Sequence, residues 1–210
     1  MRSLFSPDNA VMQFIAKIFD LVVLNLIFIL SCVPVITIGA SISALYYVSL
    51  KMVREEDPYI WQNFWKSFRQ NFKQSTIVWL LFIAISLFLG MDFYIINSQD
   101  TVLFAVVRTG LWVICGILFS MFVYIFPVIS HFVCTTRQAL KNAALMAIAH
   151  LPYTFLLLAG HALIVFLCTF STKTFALVVV LSGLCGFSVF SFTACILFSS
   201  IFKKYETEEA

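Results

Sequence analysis

The chain has 210 residues, of which 62% are hydrophobic and 11% are charged, and its formal net charge is +3 at pH 7. A soluble domain carries roughly twice that share of charged residues, so this composition excludes a water-facing globular surface and predicts that the solvent is lipid. Backbone polar groups in a bilayer must be satisfied within helices or closed barrels, and the long apolar runs do not alternate as barrel strands do. We therefore predict an all-α polytopic transmembrane helical bundle, with five to six membrane helices in one membrane domain, 1–210.

The first apolar segment is too long for one span and is predicted to break. As a single helix, residues 18–50 would be about 50 Å long, whereas the hydrocarbon core of a bilayer is about 30 Å thick. Proline removes a backbone donor and glycine relaxes the backbone limits, so the break is predicted between Pro34 and Gly39. A hydroxyl N-cap, a proline and an acid at Ser6–Asp8 predict where the first helix begins. The two parts of the broken segment are 7–33 and 39–53.

The distribution of basic residues orients the bundle. An interfacial helix is predicted at 58–74, and four further spans are predicted at 76–96, 102–130, 143–170 and 175–202. Nine of the 13 lysines and arginines then fall on one side, which the positive-inside rule assigns to the cytoplasm, together with the C-terminus. If residues 18–50 form one kinked span, Arg2 and Lys17 lie outside and the count is nine against four. If they form a short hairpin, both termini are cytoplasmic and the count is eleven against two, which agrees better with the rule.

The segment from Tyr59 to Thr76 has the strongest amphipathic pattern. Aromatic side chains form one face, namely Trp61, Phe64, Trp65, Phe68 and Phe72, and basic side chains form the other, namely Lys66, Arg69 and Lys73. This pattern is typical of a helix that lies in the membrane interface. The helix is either a connector held by the headgroups of membrane lipids or a docking surface for a partner protein. Arg137 and Lys141, in the second cytoplasmic loop, would extend that surface.

Two ionisable residues lie at similar depth on the two sides of a predicted hairpin, and each is a functional hypothesis because it lies inside a span. Asp92 is near the outer end of one span and Arg108 is near the outer start of the next, with the turn centred near Gln99. We expect an intramembrane ion pair; a substrate or ion site and snorkelling to the interface are the alternatives. Asp20 could join this pair only if the N-terminus lay outside.

The sequence contains no constellation typical of an enzyme or a metal site. His150 and His161 share a helix face but lie about 16 Å apart along it, too far for one metal ion. The six cysteines include no C-x-x-C pair and are interpreted as small packing residues. No nucleophile elbow, phosphate loop or dinucleotide fingerprint occurs. We expect a non-enzymatic protein without cofactor or metal and, because three basic residues on an aromatic helix suit phosphates poorly, without a nucleic-acid partner.

Two segments resemble a known family. The first is Pro34–Tyr47 (PVITIGASISALYY), the second is Phe64–Ser75 (FWKSFRQNFKQS), and the loop Arg137–Ala143 is also similar. They resemble the YesL-like family, DUF624, over nearly the whole chain. The resemblance implies a bacterial, mostly Gram-positive, multi-pass membrane protein that occurs beside carbohydrate ABC importers, their solute-binding proteins and sugar-responsive sensor kinases. The family has no established reaction, so the resemblance supplies no catalytic residues.

The patterns and the resemblance together predict an accessory subunit of a carbohydrate ABC importer in the cell membrane. Its partners would be ABC permease subunits, docked on the interfacial helix and the loop around Arg137. A small independent transporter is the alternative, and it would use polar side chains near the broken segment, where Asn25, Thr37 and Ser41 are available. A regulator of a sugar-responsive sensor kinase is the third interpretation.

Overall fold

The computed structural model describes residues 10–56, 59–97 and 101–206, and every regular element in these ranges is a helix. The α-helices are α1 Ala10–Ser31, α2 Ile38–Val53, α3 Ile60–Asn97, α4 Val102–His131, α5 Thr136–Ala149, α6 Leu151–Phe170, α7 Thr172–Leu181 and α8 Phe187–Glu206. A 3₁₀-helix, Val35–Thr37, precedes α2, and a π-helix, Ser182–Gly186, joins α7 to α8. The predicted helix start at Ser6–Asp8, the turn at Gln99 and the position of Arg2 lie outside the described residues.

Six helical stretches in these ranges are long and apolar enough to cross a membrane. They are Met12–Ser31, Val35–Val53, Ile60–Asn97, Phe104–His131, Leu151–Phe170 and Thr172–Tyr205. The predicted all-α polytopic bundle is confirmed. Because six is an even number, a bundle in which all six cross has Ala10 and Glu206 on the same side of the membrane.

The helix breaks between α1 and α2, in the segment that contains Pro34. α1 ends at Ser31 and α2 begins at Ile38. Thr37 Oγ1 lies 2.6 Å from the carbonyl oxygen of Ser31 and 2.7 Å from that of Pro34. The carbonyls at the end of a helix lack intrahelical partners, so this hydroxyl satisfies the carbonyl of Ser31, the last residue of α1.

α2 folds back against α1. Leu24 and Phe28 of α1 are buried in one apolar cluster with Ala44 and Val48 of α2. In one straight helix, Phe28 and Val48 would be about 30 Å apart, so a single kinked span does not describe this segment. The structure has the hairpin arrangement that the charge count favours.

α3 corrects the prediction of an interfacial helix at 58–74 followed by a separate span at 76–96. One helix of 38 residues, Ile60–Asn97, covers both, and it is about 57 Å long. It contains no proline, and its one glycine is Gly90, so no helix breaker lies where the polar segment meets the apolar one. The change of polarity near Ser75 marks a change of surroundings and not the end of a helix.

The predicted span at 143–170 is also corrected, because it consists of parts of two helices. α5 ends at Ala149 and α6 begins at Leu151, with His150 between them at φ −117° and ψ 48°. Pro152 lies in the first turn of α6. Proline lacks the backbone N–H and clashes with the preceding turn, so α5 cannot continue through it.

Two apolar clusters hold the helices together. The smaller cluster joins α1, α2 and the first half of α3, and the larger one is centred on α2, α4, α5 and α8. The larger cluster contains four big, fully buried aromatic side chains: Tyr124, Phe126, Phe198 and Phe202. α2 contributes to both clusters, and ten of its 16 residues are buried. It is therefore the central helix of the bundle.

A glycine allows α2 to approach α3 closely. A Cβ atom added to Gly39 would lie 2.5 Å from the carbonyl oxygen of Ser75 and 2.7 Å from Cβ of Trp79. Four residues further along α2, Ser43 Oγ lies 2.7 Å from Ser75 Oγ. Close backbone approach at small residues, with hydrogen bonds between helices, is how helices associate in lipid.

Replacing Gly39 by alanine should destabilise the protein by about 1–3 kcal/mol, the usual cost of forcing extra atoms into a packed interface. Thermal unfolding of the purified protein in detergent measures the effect. Gly90→Ala is the matched control, because nothing lies within 4 Å of a Cβ atom added there, and it should unfold no earlier than the unmodified protein. Equal unfolding temperatures for the two variants would contradict the assigned contact.

Candidate functional site

The aromatic face of α3 is divided between the protein interior and its surface. Phe64 is fully buried against α1 and α2, and Trp65 and Phe68 pack partly buried beside it. Trp61 is 61% exposed and Phe72 is 39% exposed. The prediction that all five aromatic side chains face lipid or a partner is corrected for Phe64, because α1 and α2 enclose it.

The buried and exposed rings of this face are in contact. The ring centroids of Trp61 and Trp65 are 5.8 Å apart and those of Trp65 and Phe68 are 5.2 Å apart, both in edge-on geometry. Phe64 and Trp65 are likewise in edge contact at 5.8 Å. Such pairs contribute about 0.5–1.5 kcal/mol each beyond the burial of their area. The exposed ring of Trp61 is therefore held by a row of rings that begins in the core.

Basic side chains flank the exposed part of this row. Lys66, Arg69 and Lys73 are exposed on α3, and within the described residues they form no ion pair or hydrogen bond. Lys66 and Arg69 line a shallow open groove together with Trp61 and Trp65. The groove therefore combines aromatic walls with two uncompensated positive charges. We call these four residues the α3 groove.

The first half of α3 extends past the end of α4 at His131, and it packs there against α1 and α2. Gln74 Nε2 donates to the carbonyl oxygen of Cys134, in the loop after α4, at 3.1 Å. From Gln74 back to Ile60, α3 continues for 14 residues, which is about 21 Å. The α3 groove lies on this projecting part.

Arg137 and Lys141 are exposed on α5. This helix begins with a capping box at Thr135, which fixes its first turn. Its buried side, which includes Ala139 and Ala143, belongs to the larger apolar cluster. The two predicted basic residues therefore lie on a helix of their own, which follows the loop that Gln74 contacts.

The break between α1 and α2 has an apolar, exposed tip. Pro34 and Val35 are exposed, and Trp79 Nε1 of α3 donates to the carbonyl oxygen of Val35 at 2.9 Å. Ser41 Oγ donates to the carbonyl oxygen of Thr37 at 2.9 Å. The hydroxyls of Thr37 and Ser41 are thus bonded to backbone of their own segment, so they do not build a polar path at the break.

Asn25 joins α1 to the π-helix and α8 through three hydrogen bonds. The sequence patterns do not predict this contact. It is fully buried, and its Nδ2 donates to the carbonyl oxygens of Ser182 and Gly183, each at 2.9 Å. Its Oδ1 accepts from the backbone N–H of Ser188 at 3.2 Å. Ser188 Oγ in turn donates to the carbonyl oxygen of Leu21 at 2.7 Å. One side chain of α1 thus serves three backbone groups of the π-helix and the start of α8.

The π-helix explains why the backbone accepts hydrogen bonds from a side chain at this place. A π-helix shifts the backbone hydrogen-bonding pattern by one residue, and such a shift occurs where a side chain enters the hydrogen-bond ladder. In lipid no water can satisfy the displaced groups. The signals in the sequence are a lone Asn25 in an apolar helix and the glycines at Gly183 and Gly186, and only the fold brings them together.

The expected ion pair between Asp92 and Arg108 is not formed among the described residues. Arg108 Nη1 instead donates to Asn97 Oδ1 at 3.4 Å. The ring of Phe93 contacts that of Trp112 at 5.1 Å, so residue 92 is level with about residue 113. Arg108 is therefore level with the end of α3, about 7 Å along the helix from Asp92.

His150 lies where α5, α6 and the end of α8 meet. Its Nε2 is 3.3 Å from the hydroxyl of Tyr205. Partial burial, and secondly the positive charge of Lys204, lower the pKa of His150 below its usual value of 6.5. Burial raises the pKa of the Cys134 thiol. Within the described ranges, no three His, Cys, Asp or Glu side chains gather into a possible metal site.

The six apolar helical stretches define the class of the protein, a polytopic α-helical membrane protein. Residues 21–93, from α1 to near the end of α3, match the model of a family described as "Protein of unknown function, DUF624". This match and the relatives below confirm the resemblance to the YesL-like family, and the family model itself covers about a third of the chain.

Two relatives from Bacillus subtilis (strain 168) are similar to the chain. "Uncharacterized protein YteU" is 26% identical over 143 residues, which cover 68% of this chain and 64% of YteU. "Uncharacterized protein YesL" is 26% identical over 165 residues, which cover 76% of this chain and 77% of YesL. The match therefore spans a little under two thirds of the length of YteU. No solved structure matches the chain.

Replacing Asn25 by leucine should destabilise the protein by about 2–5 kcal/mol, because it leaves several buried backbone groups without a partner. Thermal unfolding in detergent measures the loss. Thr193→Val is the matched control, since the Thr193 hydroxyl is exposed and bonds the carbonyl oxygen of Val189 in its own helix. If Asn25→Leu and Thr193→Val unfold at the same temperature, Asn25 does not hold the π-helix.

Acidification should destabilise the protein through His150. Its pKa is lowered in the folded state, so the unfolded state takes up the proton more readily and stability falls as the pH drops below about 6.5 toward the folded pKa. Unfolding temperatures measured across this range test the effect. The His150→Gln variant should show a flatter pH profile, and identical profiles for the two proteins would contradict the assignment.

Proposed function

We propose that the protein is a non-enzymatic accessory subunit of a bacterial carbohydrate ABC importer, and that it binds permease subunits through the α3 groove. It lies in the cell membrane with both ends and the projecting half of α3 on the cytoplasmic side, an orientation supported by the positive-inside rule. Resemblance to the YesL-like family supports the link to carbohydrate import by association. The observation that carries the docking role is the projection of α3 by about 21 Å past Gln74, with Trp61 exposed on it.

The chemistry of the groove suits a protein partner. Tryptophan and arginine are the residues that most often dominate binding energy at interfaces, and here Trp61 and Arg69 line the same groove. The ring of Trp61 already packs on Trp65, so it loses little freedom when a partner covers it, and pre-organisation of this kind favours binding. Lys66 and Arg69 would pair with acidic side chains of the permease.

Membrane lipids are the other partners of this segment. Phe72 and Lys73 follow the groove toward the apolar part of α3, where an aromatic ring and a cation suit the headgroup region. The groove is thus the part assigned to the permease, and the turn after it is the part assigned to lipid.

The alternative of an independent transporter has less support from the polar residues near the break. Asn25 is bonded to the π-helix, and Thr37 and Ser41 are bonded to their own segment. A transport site needs polar groups that are available to the solute. No contact in the described ranges favours a sensor kinase over a permease, so the identity of the captured partner distinguishes these two.

Substituting Trp61, Trp65 and Arg69 together by alanine should lower co-purification of the permease subunits at least tenfold, because the aromatic anchor and one cation are lost. The measurement is affinity purification of the tagged full chain from native membranes in mild detergent, with quantitative mass spectrometry of the captured proteins.

The matched control carries the same kinds of change at the far end of α3 and in α4. Tyr94, Trp112 and Arg108 are exposed there, and their joint replacement by alanine should leave co-purification unchanged. Undiminished capture by the first variant would refute the α3 groove as the docking surface. Recovery of a histidine kinase, or of the protein alone, would refute the assignment to an importer.

A further inference from the structure

A cavity of about 490 Å³ lies among α1, α2, α4, α6 and α8, apart from the α3 groove. Its volume is within the range of sites for small ligands. Its walls are mainly aliphatic and aromatic, with Ile42, Phe122 and Phe190 among them, and no Asp, Glu, Lys or Arg lines it. A ligand that fits these walls is uncharged and mostly hydrocarbon.

Two polar groups in the wall lack partners within the described part of the chain. Tyr46 of α2 is only 8% exposed, and its hydroxyl makes no hydrogen bond there. His161 of α6 contacts the carbonyl oxygen of Leu157 through Nδ1 at 2.8 Å. A carbonyl can only accept, so Nδ1 carries the hydrogen and Nε2 keeps a free lone pair. The cavity wall therefore offers one hydroxyl that can donate and one ring nitrogen that can accept.

The other polar residues in the wall are already engaged. Ser191 Oγ lies 2.7 Å from Ser49 Oγ and donates to the carbonyl oxygen of Ser188. Cys32 offers only a thiol, which is a weak hydrogen-bonding group. Among the described residues, the hydrogen-bonding groups of the wall that are available to a ligand are therefore the hydroxyl of Tyr46 and Nε2 of His161. Both groups border the cavity, where a ligand that enters it can reach them.

We propose that this cavity binds a neutral long-chain alcohol, whose hydroxyl donates to His161 Nε2 and accepts from the hydroxyl of Tyr46 while its hydrocarbon chain fills the aromatic part. A hydroxyl is one donor and one acceptor at a single atom, which matches the two free groups. An alkane would leave the Tyr46 hydroxyl and His161 Nε2 without a hydrogen bond. A carboxylate would find no lysine or arginine in the wall to balance its charge. The site is independent of the proposed docking role.

The test uses two probes, hexadecanol and hexadecane, each with a photoreactive diazirine in the chain, and the purified full-length protein in detergent. The alcohol should label residues around the cavity saturably and about tenfold more tightly than the alkane, a difference that one hydrogen bond can supply. Unlabelled hexadecanol, or the branched alcohol farnesol, should compete with the probe for the cavity. The better competitor shows whether the cavity prefers a linear or an isoprenoid chain. Equal labelling by the two probes, or competition by neither alcohol, would overturn the proposal.

Variants separate the cavity from general lipid contact. Ile42→Trp fills the cavity and should lower saturable labelling at least tenfold, whereas Cys115→Trp, in the separate apolar groove between α3 and α4, should not. Tyr46→Phe keeps the volume and should abolish the preference for the alcohol. This last variant decides the question even if Ile42→Trp does not fold, since a preference that survives it contradicts the proposal.

Discussion

The close contact between α2 and α3 at Gly39 is the packing constraint on which the other helices depend. α2 is buried on most sides, and it contacts α3 at a distance that leaves no room for a Cβ atom. Nearer its C-terminal end α2 reaches α8, where Ser49 and Ser191 share a hydrogen bond and Cys195 Sγ contacts the carbonyl oxygen of Tyr46. Helices in lipid gain little from excluding water, so van der Waals fit carries the association. Small residues along α2 make that fit possible.

The absence of water in the lipid also explains why some polar side chains inside the bundle bond to backbone groups. Asn25 pairs with displaced groups of the π-helix, and Thr37 pairs with the carbonyls that follow α1. Each such group would otherwise lie unpaired in hydrocarbon, which costs several kcal/mol. Polar residues in a membrane span are therefore not by themselves evidence of a transport path.

The sequence predicts the class, a range of five to six spans and the site of the first break, because these follow from hydropathy, length and proline. It does not predict the continuity of α3, because polarity changes at Ser75 without any change in helix propensity. It also misplaces Arg108 opposite Asp92, since depth in a hairpin depends on a turn length that the pattern does not give. In the sequence, Phe64 cannot be distinguished from the other aromatic residues on the same face of α3. It is a core residue because α1 and α2 cover it.

The unbroken α3 has a mechanical consequence. Gly39 touches it at Ser75 and Trp79, close to the midpoint of a helix that runs from Ile60 to Asn97. The helix is also held on both sides of this point, because α1 and α2 enclose Phe64 in the smaller apolar cluster while Val78 and Phe82 belong to the larger one. One continuous helix therefore ties the two clusters rigidly together, so that loosening the packing of one cluster weakens the anchorage of the other.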